Sequence, residues 1–183
     1  MSFSINDIRA NLKFGGARPT NFQISLTSNF DSALASIVPF MCQATEIPGS
    51  TLGAIEVPYM GRKIRVAGDR TFEPWRISVI NDEDFRIRHS LESWHNRINS
   101  LSGNLNTTGS AAPNNYKSDA LVMQYSKADD QSPVRIYKLY GVFPTDISSI
   151  DLDWNATNTI ETFTTTFSFD WLEVVGGSTG LIS

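Results

Sequence analysis

The sequence is short of cysteine, histidine and charge. It has one cysteine, Cys42, and two histidines, His89 and His95. A lone cysteine excludes a disulfide framework within the chain and any zinc site built on paired cysteines. Charged residues make up only 19%, and 15 Lys+Arg against 19 Asp+Glu leave a net charge of -4. That balance argues against a protein that coats nucleic acid through its phosphates, which calls for a basic excess. No apolar run approaches the ~18 residues of a membrane span. The start, Met1 to Asp7, has neither a basic region nor a long apolar run, so no signal peptide and no membrane insertion are expected. The expectation is a soluble protein of a reducing compartment, with Cys42 as a buried small hydrophobe.

What is present is enough to fold. The 183 residues are 40% hydrophobic and 11% aromatic, which excludes wholesale disorder. The length suits one domain, expected over Met1 to Val175, with a flexible tail from Gly176 to Ser183.

The patterning is mainly that of strands. Phe22, Ile24 and Leu26 alternate with Gln23, Ser25 and Thr27, which predicts a half-buried strand after a short helix within Ser4 to Gly16. Ser28 to Pro39 reads as a polar loop with a helical turn around Ala33 to Ile37. Phe40, Cys42 and Ala44 then share one strand phase. Ile55-Glu56-Val57 and Ile64-Arg65-Val66 flank a turn at Tyr59-Met60-Gly61-Arg62, predicting a two-stranded projection with Gly61 at its tip. Phe72, Trp75, Ile77 and Val79 mark a strong strand. Further strands are expected at Ala120 to Ser126, Val134 to Phe143, Ile150 to Trp154 and Ile160 to Glu173. In the last, Phe163, Phe167, Phe169 and Trp171 occupy one face, and Thr162, Thr164, Thr166, Ser168 and Asp170 the other. One long helix is predicted over Glu83 to Asn99, capped by Asn81 or Asp82, with Ile87, Leu91, Trp94 and Ile98 in one stripe. Ser100 to Asn115 has little to bury and reads as a mobile loop. The fold class is therefore mainly β (α+β): a two-sheet sandwich or barrel with one flanking α-helix.

Motifs for catalysis are weak. Gly176-Gly177-Ser178-Thr179-Gly180 matches the nucleophile-elbow pattern, but only three residues follow, so no acid and histidine come after it. His89 and His95 lie six apart on a helix and face away from each other, so they cannot share a metal. Asp151 and Asp153 lack a glycine-containing calcium loop and read as a solvated face. Neither a phosphate-binding loop nor a dinucleotide fingerprint is present. A carbohydrate platform on Trp75, Trp154 or Trp171 is disfavoured because their strand phases look buried. No enzyme, cofactor or metal site is expected.

Charge is distributed unevenly. Arg62, Lys63, Arg65, Arg70 and Arg76 cluster on the projection and its exit, whereas Gly141 to Ser183 holds no Lys or Arg at all. A basic projection and an acidic final third are candidate complementary surfaces on neighbouring copies.

Tyr59-Met60-Gly61-Arg62-Lys63-Ile64-Arg65-Val66-Ala67-Gly68-Asp69-Arg70-Thr71-Phe72, continuing through Trp75 to Glu83, closely resembles the tail tube proteins of contractile-tailed (myovirus-type) bacteriophages. Ala17 to Gln23, Cys42 to Thr45, Gly141 to Thr145, Leu152-Asp153-Trp154 and the Phe-rich stretch to Trp171 are similar to the same family. The resemblance spans about residues 17 to 173, and Asn29 to Val38 looks like an insertion. It implies a structural subunit whose hexameric rings stack into the hollow inner tube of a contractile tail, through which DNA is ejected. Implied partners are other copies of the chain, the tail sheath protein, baseplate and tail terminator proteins, a tape-measure protein in the lumen, and double-stranded DNA in transit. The implied location is the virion tail, after synthesis in the host bacterial cytoplasm. The alternative is the inner tube of a type VI-like or bacteriocin-like injection device. Candidate inter-subunit or inter-ring contacts are Met60, Gly61, Arg62, Lys63, Arg65, Asp69 and Arg70, and the small polar row of the last strand suits a lumen wall.

Overall fold

A computed structural model describes residues 5–12, 16–27, 32–106, 112–127 and 132–177. In chain order the elements are α1 (Ile5–Asn11), β1 (Phe22–Thr27), α2 (Ser32–Met41), β2 (Cys42–Thr45), β3 (Ser50–Tyr59), β4 (Arg62–Phe72), β5 (Trp75–Ile80), α3 (Arg86–Ile98), α4 (Pro113–Tyr116), β6 (Ser118–Tyr125), β7 (Pro133–Ile147), β8 (Thr162–Ser168) and β9 (Trp171–Gly176).

Two antiparallel sheets share the long strand β7. Its first part lies between β6 and β9, with β1 outside β6; its second part pairs with β8, which continues to β5 and then β2. The change of sheet falls at Gly141, whose φ is +68. A side chain there would run into the Asp170 carboxylate. Glycine thus supplies both the left-handed backbone and the close approach that the bend requires.

Alternation in the sequence decides the core. Ile24 and Leu26 on β1, Trp75, Ile77 and Val79 on β5, Phe163 and Phe167 on β8, and Val122 and Leu139 on β6 and β7 are all buried in one cluster. Helix α3 covers it with Ile87, Leu91 and Trp94, and the Trp94 indole N–H donates to the Tyr116 carbonyl at 2.8 Å. Trp75 lies against Phe167 with centroids 5.3 Å apart, and its indole donates to Thr45 Oγ1 at 2.9 Å.

Several segments differ from expectation. Ser32–Met41 is a ten-residue helix, not a loop, and Phe40 belongs to it rather than to a strand. Leu34 and Val38 are almost wholly buried in the core, four residues apart on one helix face. Tertiary packing outweighs a segment that reads as polar by composition. Helix α3 starts at Arg86, with Phe85 before it at φ 52. Asp82 accepts the N–H of Asp84 at 2.7 Å and Asn81 donates to Glu161 at 2.9 Å, so neither caps the helix. Ile150 to Trp154 is not a strand: Asp153 Oδ1 accepts the Asn155 N–H at 2.9 Å, a local turn in place of a ladder. The long final strand is broken at Phe169-Asp170, where the chain passes from one sheet to the other. There the Asp170 N–H donates to the Tyr140 carbonyl at 2.9 Å and its carboxylate meets Lys117 Nζ at 2.7 Å.

The short N-terminal helix forms, but Ile5, Ile8 and Leu12 are exposed, so its stripe covers nothing in the monomer. Residues 107–111 of the expected mobile loop and residues 178–183 of the expected tail lie outside the described residues.

Candidate assembly surface

Strands β3 and β4 form a sheet of their own, separate from the sandwich. The register runs from Ser50↔Phe72 at the root to Tyr59↔Arg62 at the tip. Met60 (φ 43) and Gly61 (φ 79) make the two-residue turn. Both central residues are left-handed, the turn whose twist suits a two-residue hairpin. Ten residues of strand give a ribbon about 33 Å long.

An isolated two-stranded ribbon is marginal in water. This one is exposed along nearly its whole length. Its two faces differ. Ile55 pairs with Val66 and Val57 with Ile64, so these four side chains and Tyr59 share one apolar face. On the opposite face Glu56 meets Lys63 Nζ at 2.6 Å and Arg65 Nε at 3.3 Å. Such exposed pairs contribute only about 0–1 kcal/mol each. The ribbon thus leaves an apolar stripe uncovered and keeps its charged face tied to itself.

The structure divides the seven candidate contact residues. Met60, Gly61, Arg62, Lys63 and Arg65 gather at the tip, and Met60 is 88% exposed. Asp69 and Arg70 lie near the root, roughly 23 Å away along β4, beside the irregularity at Gly53, where Gly53 and Gly68 approach backbone to backbone. Arg62 and Arg70 have no ion-pair partner among the described residues. Ile55, Val57, Ile64 and Val66 are absent from the sequence-based set. Their signal was the period-two alternation itself, which marks an apolar face without saying whether the same molecule covers it.

The outer face of the sheet formed by β2, β5, β8 and the end of β7 carries small polar groups. Ala44 stands opposite Ser78, Ser78 opposite Thr164, and Arg76 opposite Thr166, with Asp146 beyond. The outer face of the other sheet is different. There Tyr140 stacks on Trp171 at 4.9 Å, Lys138 lies 4.4 Å from the Tyr140 ring, and Lys138 pairs with Asp119 at 3.0 Å. That ion pair raises the Lys138 pKa.

The tryptophan expectation is corrected in part. Trp75 is buried, but Trp154 is fully exposed and Trp171 is half exposed. Asp153 turns the chain at the first, and the sheet change rotates the second outward. His89 is exposed and His95 partly buried on α3. No group of three or more His, Cys, Asp or Glu among the described residues could hold a metal. Cys42 is partly buried, not fully: its thiol donates to the Ala44 carbonyl at 3.3 Å, and burial pushes its pKa up to about 11.

The fold is that of chains found in contractile injection systems. One chain of the anti-feeding prophage baseplate, solved with six-fold symmetry, superposes with a TM-score of 0.65 at 14% identity, covering 88% of this chain and 97% of that one. One from the sheath-tube complex of the extracellular contractile injection system PVC, in its extended state, gives 0.56 at 16% identity, covering 95% and 100%. Within that class the sequence is decisive: the chain belongs to the phage tail tube protein family, whose model matches residues 7–173. It is 37% identical to the tail tube protein gp19 of Enterobacteria phage T4 over 157 residues, 86% of this chain and 91% of that protein. It is 30% identical to the tail tube protein of Serratia phage KSP90 over 166 residues, 88% and 91% of the two chains.

Proposed function

We propose that the chain is the structural subunit of the inner tube of a contractile phage tail, working as hexameric rings that stack head to tail. The observation that carries this reading is the uncovered β-ribbon. An apolar face of that length on a family member of this kind is explained by burial against another copy. Within this reading, Met60, Gly61, Arg62, Lys63 and Arg65 make contacts between subunits or rings, and Asp69 and Arg70 contribute near the ribbon's root. The role is structural, without catalysis or cofactor.

The small polar face around Ser78, Thr164 and Thr166 suits the lumen wall. Its short hydroxyl side chains offer few charge-assisted phosphate contacts; Arg76 is a cation on the same face, with Asp146 near it, and each cation facing phosphate adds salt-dependent affinity that slows passing DNA. A tape-measure protein would occupy that lumen before ejection. Sheath, baseplate and terminator proteins are the expected outer and end partners, the virion tail the destination, and the host bacterial cytoplasm the place of synthesis. Relatives at 30% identity or more are phage proteins, which favours a phage tail over a type VI-like or bacteriocin-like device.

The test is electron microscopy of the purified chain at rising concentration, with and without baseplates from its own particle. Rings or tubes of uniform width are expected. A chain that stays monomeric at high concentration and fails to extend added baseplates contradicts the reading.

A further inference from the structure

Two uncovered features lie at opposite ends of the same strand. The ribbon is rooted at the Trp75 end of β5, where the Glu73 N–H donates to the Gly49 carbonyl at 3.2 Å and Phe72 packs on Phe169 at 5.6 Å. At the Ile80 end, the segment 148–161 crosses from β7 to β8. It is held there by the Asn81 N–H donating to the Glu161 carbonyl, and by Asn81 Nδ2 donating to the Glu161 carboxylate, both at 2.9 Å. The register Trp75↔Phe167 through Ile80↔Thr162 fixes this arrangement.

The segment 148–161 carries apolar side chains that no core accounts for. Leu152 is 82% exposed, Ile160 74%, and Trp154 is fully exposed. They line a depression of about 510 Å³ with Asp151 and Asp153. A second of about 450 Å³, lined by Asp82, Glu83 and Phe85, adjoins it and shares Thr159, Ile160 and Glu161. No Lys or Arg lines either one. Asp82, Glu83, Asp151, Asp153 and Glu161 have no ion-pair partner among the described residues.

The ribbon tip is the complement. Tyr59 and Met60 are exposed and apolar, and Arg62 has no ion-pair partner among the described residues. Over 50–72, Arg62, Lys63, Arg65 and Arg70 outnumber Glu56 and Asp69. We propose that the ribbon tip of one copy seats in the 148–161 depression of a second copy. Tyr59 and Met60 meet Leu152, Trp154 and Ile160, while Arg62, on the same face as Tyr59, meets Asp151 and Asp153, and Lys63 adds its charge from beside it while paired with Glu56. Donor and receiver sit at opposite ends of β5, so the contact is heterologous, and between stacked rings it repeats along the tube axis instead of closing. Repetition gives a filament rather than a dimer. This rests on the tube-subunit reading and names the surface that receives the ribbon.

Charge exchange tests it. Four proteins are compared by the fraction pelleted as tubes at low salt, with folding checked by circular dichroism. They are the parent chain, Arg62→Glu with Lys63→Glu, Asp151→Lys with Asp153→Lys, and all four substitutions together. Each pair is expected to raise the concentration needed for tubes roughly tenfold or more, and the fourfold variant to recover most of that loss. All four positions are exposed; Asp153→Lys gives up the turn bond from Asn155 and Lys63→Glu gives up the Glu56 pair, surface interactions whose loss should move the melting temperature by no more than about a few degrees. A thiol pair, Met60→Cys with Trp154→Cys in a Cys42→Ser background, should give a covalent ladder under oxidation. Met60→Cys with Thr164→Cys in the same background should not. If the loop pair polymerises like the parent, or the fourfold variant is no better than either pair, the docking is overturned while a tube role stands. If the parent forms neither rings nor tubes and does not extend baseplates, the tube reading itself fails.

Discussion

Replacing the apolar face of the ribbon should separate folding from assembly. The perturbation is Ile55→Thr, Val57→Thr, Ile64→Thr and Val66→Thr together. Threonine keeps the β-branch and strand propensity while exchanging hydrocarbon for a hydroxyl. In the monomer these side chains are between 46% and 56% exposed and belong to no core cluster. Roughly half of each therefore remains to be buried on association. Full burial of such a side chain is worth about 1.5–3 kcal/mol, so the remaining half is worth about 1 kcal/mol, and four give about 4 kcal/mol per subunit. At 1.4 kcal/mol per factor of ten, that is about three orders of magnitude in the concentration needed for tubes. Sedimentation over a dilution series reads it, and thermal melting of the dilute chain reads the fold. The expected result is a melting temperature within about 2 °C of the parent, because a few tenths of a kcal/mol shifts a domain of this size little, with no tubes at the parent's working concentration. Unchanged assembly would show that the stripe is not buried between copies, and a large fall in melting temperature that it already supports the fold of the single chain.

Three other outcomes follow from the same geometry. Gly141→Ala forces a left-handed backbone and a clash with Asp170, so a loss of about 2–3 kcal/mol is expected, read by urea unfolding. Leu34→Ala should cost about 2–5 kcal/mol if α2 closes the core, and a loss under 0.5 kcal/mol would detach that helix from it. Cys42, with its pKa raised to about 11, should have a thiolate fraction on the order of 0.1% at pH 8 and label slowly with iodoacetamide until urea unfolds the chain. The folded pKa is raised above the ordinary value near 9, so this thiol's contribution to stability is full below pH 9 and is lost as pH rises from 9 through 11.

The sandwich strands were legible wherever one face is buried and the other wet. The alternations at Phe22–Thr27, Trp75–Ile80 and Thr162–Ser168 match the observed burial, except that Phe22 is half-buried like Gln23 beside it. Helix α3 was legible by its stripe, though its start was set by a turn at Asp82 rather than by a cap. Helix α2 was hidden because, among its described side chains, Leu34 and Val38 alone are fully buried and a proline stands near its end. The break at Phe169-Asp170 was hidden because alternation reads straight across a kink made by a distant glycine, Gly141. For the ribbon, the turn and the basic tip were visible in the sequence. The apolar stripe was visible too, but not that it faces water in the monomer. Trp154 shows the same limit from the other side: alternation looked buried, and a local turn at Asp153 exposed it.

In the proposed assembly the uncovered ribbon completes its burial in another copy of the chain. Cryo-electron microscopy of tubes grown from the purified protein tests it most directly. Stacked six-membered rings are expected, with Ile55, Val57, Ile64 and Val66 lying against a neighbouring subunit. Rings or tubes in which the ribbon stays solvent-exposed, with assembly carried by other surfaces, would contradict it.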